Sequence, residues 1–251
     1  MNTTNDVSQC FKETTIHDFS EYLSLFEEKK SSELFFRGQR EDKPLLPKIA
    51  RNTSLTGKKI IELEQKALRK FIVRGLPYFT FEPDIRDTIE TLTLGQHYGL
   101  ITRLMDWTTN PLAALWFALK DVTANTTNSP VVWVYKPDPK DDAHRTGFID
   151  HIYDDKPIDI PRTLHFNPKH IDRRLVVQNS VFTIHGNGEN REEPIFIPLE
   201  KEKTNNELEK VIIPLEASNK LVEMLELCGI NDSSMFPDLE GLCRQIKREV
   251  F

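Results

Sequence analysis

The stretch LTLGQHYGLITRLMDWTTNPLAALWFAL, residues 92–119, decides how this chain folds. LITRLMDW reads as extended and buried. Asn110-Pro111 then caps and starts a helix, since proline suits a first-turn position. Leu112–Leu119 is apolar almost all round, so the helix belongs at the centre of a core. A purely structural join between strand and helix needs one cap. Here Arg103, Asp106, Thr108, Thr109 and Asn110 crowd the same junction. That clustering points to a ligand site at the helix entrance.

Working outward, Asp18–Lys29 places Phe19, Tyr22, Leu23 and Phe26 at helical spacing. Leu34–Arg37 reads as a short buried strand ended by Gly38. Lys59–Arg74 is a helix with Ile60, Leu63, Ala67, Leu68 and Phe71 on one face, and Asp84–His97 is another, ended by Gly99. Val131–Tyr135 is the clearest strand. Residues 136–170, rich in Pro, Asp and Lys, read as a long, partly ordered excursion. Residues 175–186 read as a strand kinked at Asn179-Ser180, 186–190 as a hairpin turn, and IFIPL (195–199) and VIIPL (211–215) as strands. Helices are expected over Leu221–Leu227 and Leu239–Val250. Strands and helices mix without a regular βαβ repeat, which predicts an α+β fold. The expected organisation is an N-terminal helical segment, 1–32, packed on one domain, 33–251.

The 251 residues carry a formal net charge of −6, so the molecule as a whole is not built as a nonspecific nucleic-acid binder. The chain also lacks the aromatic–basic interleave of nucleic-acid readers. A local basic cleft from Arg37, Arg103, Arg173 and Arg174 is compatible with that charge. Cys10, Cys228 and Cys243 show neither disulfide nor zinc spacing, which suggests a reducing compartment and predicts a cytoplasmic protein. The first residues lack a signal-peptide pattern, and no run is long and apolar enough for a membrane span. Phosphate-loop, dinucleotide-fold, zinc-protease and serine-hydrolase motifs are missing, as is the carboxylate spacing a metal-dependent nuclease needs.

Arg37 closes an apolar strand directly before Gly38. Its guanidinium fork suits a phosphate or carboxylate ligand, or a buried ion pair with an Asp. Gly38 permits close approach of backbone or ligand. His97 sits between Gly95 and Gly99 at a helix end, as a cap, a satisfied core group or a ligand contact. Asp106, flanked by Met105 and Trp107, is expected half-buried with Arg103 or Arg37 as partner. Thr108 or Asn110 is the candidate cap of the apolar helix.

FFRGQ (35–39), QHYGLITRLMDWTTNPLAALWFA (96–118), RRLVVQNSVFTIHG (173–186) and MFPDLEGL (235–242) resemble the FRG-domain family, named for its Phe-Arg-Gly motif, from about residue 33 to 246. Met105 and Ser180 stand where family members commonly have Leu and Gly. A fainter resemblance is to NAD-dependent ADP-ribosyltransferases of the arginine–serine–glutamate type, whose three elements are matched by FFRG, by DWT running into NPLAALWFA, and by VVQNSVF. That resemblance implies a split sheet core with packed helices and NAD as substrate. It implies Arg37, with Gly38, holding the diphosphate or a ribose, and Asp106 and Thr108 orienting the nicotinamide-side ribose. Arg103 falls among the implied cofactor-binding residues. His97 and Trp107 are implied at the nicotinamide or the acceptor, and Gln178 near the place of the catalytic glutamate. Gln178 is neutral and cannot act as a base. Either Asp106 takes that role, or the acceptor is deprotonated another way, or transfer is lost. The resemblances imply a toxin or effector of a bacterial or phage conflict system, met by an antitoxin or partner protein and modifying RNA, DNA or protein. The other reading is a non-catalytic nucleotide- or phosphate-binding module.

Overall fold

The computed structural model describes residues 11–29, 33–52, 54–79, 87–123, 125–146, 158–168, 176–190 and 192–251. The strands are β1 (Lys12–Thr15), β2 (Phe35–Gln39), β3 (Leu104–Thr108), β4 (Val131–Lys136), β5 (Leu164–Phe166), β6 (Ser180–Ile184) and β7 (Glu207–Ile212). The α-helices are α1 (Phe19–Ser24), α2 (Gly57–Gly75), α3 (Thr88–His97), α4 (Pro111–Leu119), α5 (Ala143–Thr146), α6 (Leu215–Leu227), α7 (Asp232–Met235) and α8 (Leu239–Val250). The fold is α+β. The seven strands form one mixed sheet in the order β1-β7-β4-β2-β3-β6-β5, in which only β1 and β7 run parallel.

Cross-strand partners share a face of a sheet. On one face Phe36, Val132, Val134 and Val211 pack against α4, α6 and Tyr22. Further along the same face Leu104, Phe182 and Ile184 pack against Leu68 of α2 and Ile89 and Leu92 of α3. The opposite face carries Phe35, Trp133, Tyr135, Met105, Trp107 and Val181, covered by Leu45 and Leu199 from loops. Two helical layers therefore share one side of the sheet, and they meet above β2 and β3.

That junction is where the sheet nearly divides. β4 pairs with every residue of β2, whereas β2 and β3 share the single pair Phe36↔Thr108. Continued pairing would set Arg37 against Trp107 and Gly38 against Asp106, and there the strands part instead. The expected split core is thus one continuous sheet held at its middle by one pair.

α4 reaches this junction because its sheet-facing side is small. Ala113, Ala114 and Ala118 are fully buried, and a Cβ added at Gly38 would lie 2.0 Å from the Ala114 carbonyl. Asn110 caps the helix, accepting from the backbone N–H of Leu112 and Ala113, with Pro111 in the first turn. Thr108 is not the cap. Its Oγ1 accepts from Asn110 N–H at 2.9 Å and donates to the Gln178 carbonyl at 2.6 Å.

Several expectations need correction. The N-terminal segment supplies an edge strand, β1, as well as a helix, and α1 ends at Ser24 rather than running to Lys29. IFIPL is extended but joins no ladder. Pro194 and Pro198 remove two donors, and Ile195 and Leu199 instead bond singly to the carbonyls of Asn187 and Leu45. The β6 ladder starts only at Ser180, because Asn179 takes φ 45° and breaks the extended chain before it. β7 begins at Glu207, earlier than VIIPL suggested, and α6 begins at Leu215. The excursion after β4 contains α5 and β5. Residues 84–86, 147–157, Arg173 and Arg174 lie outside the described residues.

Candidate functional site

Between the two helical layers, above the parting of β2 from β3, lies a cleft of about 380 Å3. That volume is at the lower end for small-molecule sites. The sheet contributes Phe36, Gly38, Asp106, Thr108, Ser180 and Phe182. Helix α3 adds Gln96 and His97, and α4 adds Ala114 and Phe117. Arg37, Trp107 and Gln178 complete the lining. By strand alternation Arg37 and Trp107 belong to the opposite face, and they line the cleft because the strands separate beside them.

The Arg37 guanidinium spans the gap: Nη1 donates to the backbone carbonyl of Asp106 at 2.5 Å. Its Nε is buried without a hydrogen-bond partner among the described residues. Burial pushes this guanidinium below its ordinary pKa, the Asp106 charge pushes it back up, and the Arg51 charge adds to the lowering. An arginine remains charged through such a shift. A half-buried cation with an unused donor is a site that favours an anion.

Asp106 is exposed rather than half-buried, and its carboxylate is not paired with an arginine. Gln96 Nε2 donates to its Oδ1 at 2.9 Å, and Gln96 Oε1 in turn accepts a short bond from the Thr102 hydroxyl. That relay fixes which way the Gln96 amide faces. No described protein group bonds to the second Asp106 oxygen. Sequence reasoning did not select Gln96. Its signal was its place one residue before His97, on the last turn of a helix that the chain leaves to enter β3.

His97 is half-buried at the end of α3, with its ring 5.0 Å from that of Tyr98. Gly38 lies on the cleft, and the close approach it permits is that of α4's backbone. Trp107 reaches the cleft only at its edge. Its indole is 3% exposed, donates to Thr183 Oγ1 at 3.0 Å and lies against Tyr135 on the far face, so it offers no open stacking surface. The apolar wall with some exposure is Phe117, while Phe182, buried and stacked on Phe166, only floors the cleft; the sequence reading singled out neither. Gln178 sits in the turn before β6, not on the strand, and its Nε2 donates to the Met235 carbonyl at 2.9 Å.

Arg103 is not in the cleft. It is fully buried with Glu64: Nη2 approaches Oε2 at 2.6 Å, Nε donates to the same oxygen at 2.7 Å, and the Arg103 backbone N–H donates to Oε1 at 2.9 Å. Nη1 donates to Asn187 Oδ1 at 3.2 Å. The side chain has no exposure through which to meet a ligand. No group of His, Cys, Asp and Glu among the described residues is arranged for a metal ion. No helix among them is long and apolar enough to cross a membrane.

The family model of the FRG domain matches residues 32–127. An FRG domain is identified over those residues. No curated protein and no solved structure matches the chain. The FRG segment supplies β2, α2, α3, β3 and α4, and with them Arg37, Gly38, Gln96, His97, Asp106 and Phe117 of the cleft. Gln178, Ser180 and Phe182 come from beyond it. The Phe-Arg-Gly triplet itself, Phe36-Arg37-Gly38, spans the last paired residue of β2 with β3, the cation of the gap and the contact with α4.

Proposed function

We propose that the cleft binds NAD and that the chain is a mono-ADP-ribosyltransferase-like effector. The observation that carries this reading is the pairing, in one cleft, of a guanidinium with a buried unused donor and a carboxylate oriented by a neighbouring amide. The volume suits the nicotinamide–ribose–phosphate portion of a dinucleotide, with Arg37 meeting phosphate and Phe117 beside an aromatic ring.

The reaction breaks the bond between ribose C1′ and the nicotinamide nitrogen, and nicotinamide leaves as a neutral molecule with the bonding pair. An oxygen or nitrogen of the acceptor forms the new bond to C1′ and gives up its proton. Asp106 is the carboxylate available both to stabilise the oxocarbenium-like centre and to receive that proton. Gln96 holds Asp106 in position. Gln178 positions the turn before β6 and takes no proton. The resemblance to toxins and effectors of conflict systems adds the expectation that activity harms a host cell and is restrained by a partner protein.

The reading is tested by incubating the protein with isotope-labelled NAD and cell lysate separated into protein, RNA and DNA. Label in one fraction, lost in Asp106→Asn, supports transfer. Intact NAD and no label, with NAD still bound by calorimetry, leaves the second reading. That reading is a nucleotide-binding module without turnover, and it is favoured by the engagement of the neutral Gln178 with Met235 where a second carboxylate would be wanted.

A further inference from the structure

Helix α2 carries Lys58, Lys59, Lys66, Arg69, Lys70 and Arg74 against Glu62 and Glu64, on a chain whose net charge is −6. Glu64 faces inward to Arg103, so it offsets nothing on the surface. At the helix's start Lys58 pairs with Glu192 and Lys59 with Glu62. Further along, Lys66, Lys70 and Arg74 are exposed, four residues apart, and no ion pair among the described residues engages any of them. Residues i, i+4 and i+8 form one stripe along a helix, about 6 Å between neighbours and about 12 Å overall. The stripe lies on the outward side, opposite the buried Ile60, Glu64, Leu68 and Ile72. Just beyond it stands Tyr78, 83% exposed.

We propose that this face of α2 binds the phosphate backbone of a single-stranded nucleic acid, which makes nucleic acid the acceptor presented to the cleft. The assignment of an acceptor rests on the NAD reading above; the binding itself does not. The chain has no aromatic–basic interleave, but three evenly spaced cations match a regularly charged polymer, and the one exposed ring beyond them offers a base a surface to stack on. A membrane surface is the poorer fit: Ile60, Leu68 and Ile72 are buried in the core, and the exposed Leu63 and Val73, ten positions apart among the cations, make no continuous apolar stripe to insert. The helix that carries this face also borders the site. Phe71 of α2 packs at Gly95 of α3, and the next two residues, Gln96 and His97, line the cleft.

The test is binding of a fluorescein-labelled RNA or DNA strand of about 20 nucleotides, measured without NAD over about 50–200 mM salt. The comparison is wild type against Lys66→Glu/Lys70→Glu/Arg74→Glu, with the Gln triple variant as a milder companion. The expected result is salt-sensitive binding by wild type. The Glu variant is weakened about tenfold or more, and the salt slope of the Gln variant falls by about 2. NAD affinity and thermal unfolding stay unchanged in both. Absence of binding at the lowest salt, binding indifferent to both triple variants, or binding to anionic phospholipid vesicles in place of the strand each overturns the proposal. Strand binding that depends on the stripe in a protein that leaves NAD untouched upholds the face and removes only its catalytic meaning.

Discussion

Arg37 donates through Nη1 to the carbonyl of Asp106 across the parting of β2 from β3. The bond ties the two strands where their ladder has stopped after Phe36↔Thr108. One side chain therefore both closes the sheet and presents a cation to the cleft. Arg37→Ala is expected to cost about 1.5–3 kcal/mol of stability, as for a hydrogen bond with a charged donor, and to abolish NAD binding. Arg37→Lys keeps the charge but loses the fork, so it should recover stability better than binding. Denaturant unfolding and calorimetry on the two variants check this. Equal recovery of both properties by lysine would contradict the bidentate role.

Asp106 is exposed and contributes no ion pair to the fold. Asp106→Asn should leave stability within about 0.5 kcal/mol, yet lower NAD turnover by about 10²–10³-fold, the scale of losing one group that stabilises transition-state charge. Gln96→Ala should give a smaller loss, because it leaves the carboxylate in place and frees its orientation. A Gln96 variant more damaged than the Asp106 variant would reverse the assigned order of importance.

Gly38 is required by α4 rather than by a ligand. Alanine there would set its Cβ 2.0 Å from the Ala114 carbonyl and 2.5 Å from the Ala118 nitrogen. Neither is a flexible side-chain end, so α4 must move off the sheet. The expected cost is about 2–3 kcal/mol, read as a lowered denaturation midpoint. A fully stable Gly38→Ala protein would mean that α4 does not pack so closely.

The helix entrance was legible in the sequence because local chemistry fixes it: Asn110-Pro111 before an apolar run starts a helix, and only the choice between Thr108 and Asn110 as cap stayed open. The α+β class was legible from element types alone. The strand IFIPL was misread because its alternation is real, while pairing depends on a neighbour and on donors that Pro194 and Pro198 remove. Arg37, Asp106 and His97, chosen for their awkward positions, all line the cleft. Arg103 was equally awkward, but its explanation is Glu64, thirty-nine positions away. Buried pairing and ligand binding leave the same mark on a linear sequence. Gln96 escaped notice because its role comes from the 10-residue turnaround that brings it to Asp106.

The Glu64–Arg103 pair ties α2 to the start of β3 and, through Asn187, to the segment after β6. Glu64→Ala leaves the guanidinium buried beside Asn187 and the Phe196 ring with no carboxylate among the described residues to pair with it, and should cost about 3–5 kcal/mol. Replacing both members by apolar residues of similar volume should cost much less than the single change. A double-mutant cycle by chemical denaturation measures the difference, and strict additivity would show that the two do not act as a pair.

Two buried groups set opposing slopes in the pH dependence of stability. Burial, aided by the Arg103 charge and opposed by a bond to the Ile197 carbonyl, lowers the His185 imidazole from its ordinary 6.5 to about 4. Between those values the unfolded chain takes up a proton that the fold refuses, so stability is lost as pH falls. Burial raises the Glu202 carboxyl from 4.5 to about 7, with the Asp141 charge adding to it against the bonds from Thr163. Between those values the unfolded chain has released a proton that the fold retains, so stability is lost as pH rises. Over the overlap, from about pH 4.5 to 6.5, the contributions oppose and the profile is expected to be nearly flat. Glu202→Gln removes the alkaline loss alone. Stability of the variant should climb through that range and exceed wild type at pH 8 by up to roughly 2–3 kcal/mol. Urea unfolding at a series of pH values reads the two profiles. Parallel curves for variant and wild type would show that Glu202 does not hold its proton in the fold.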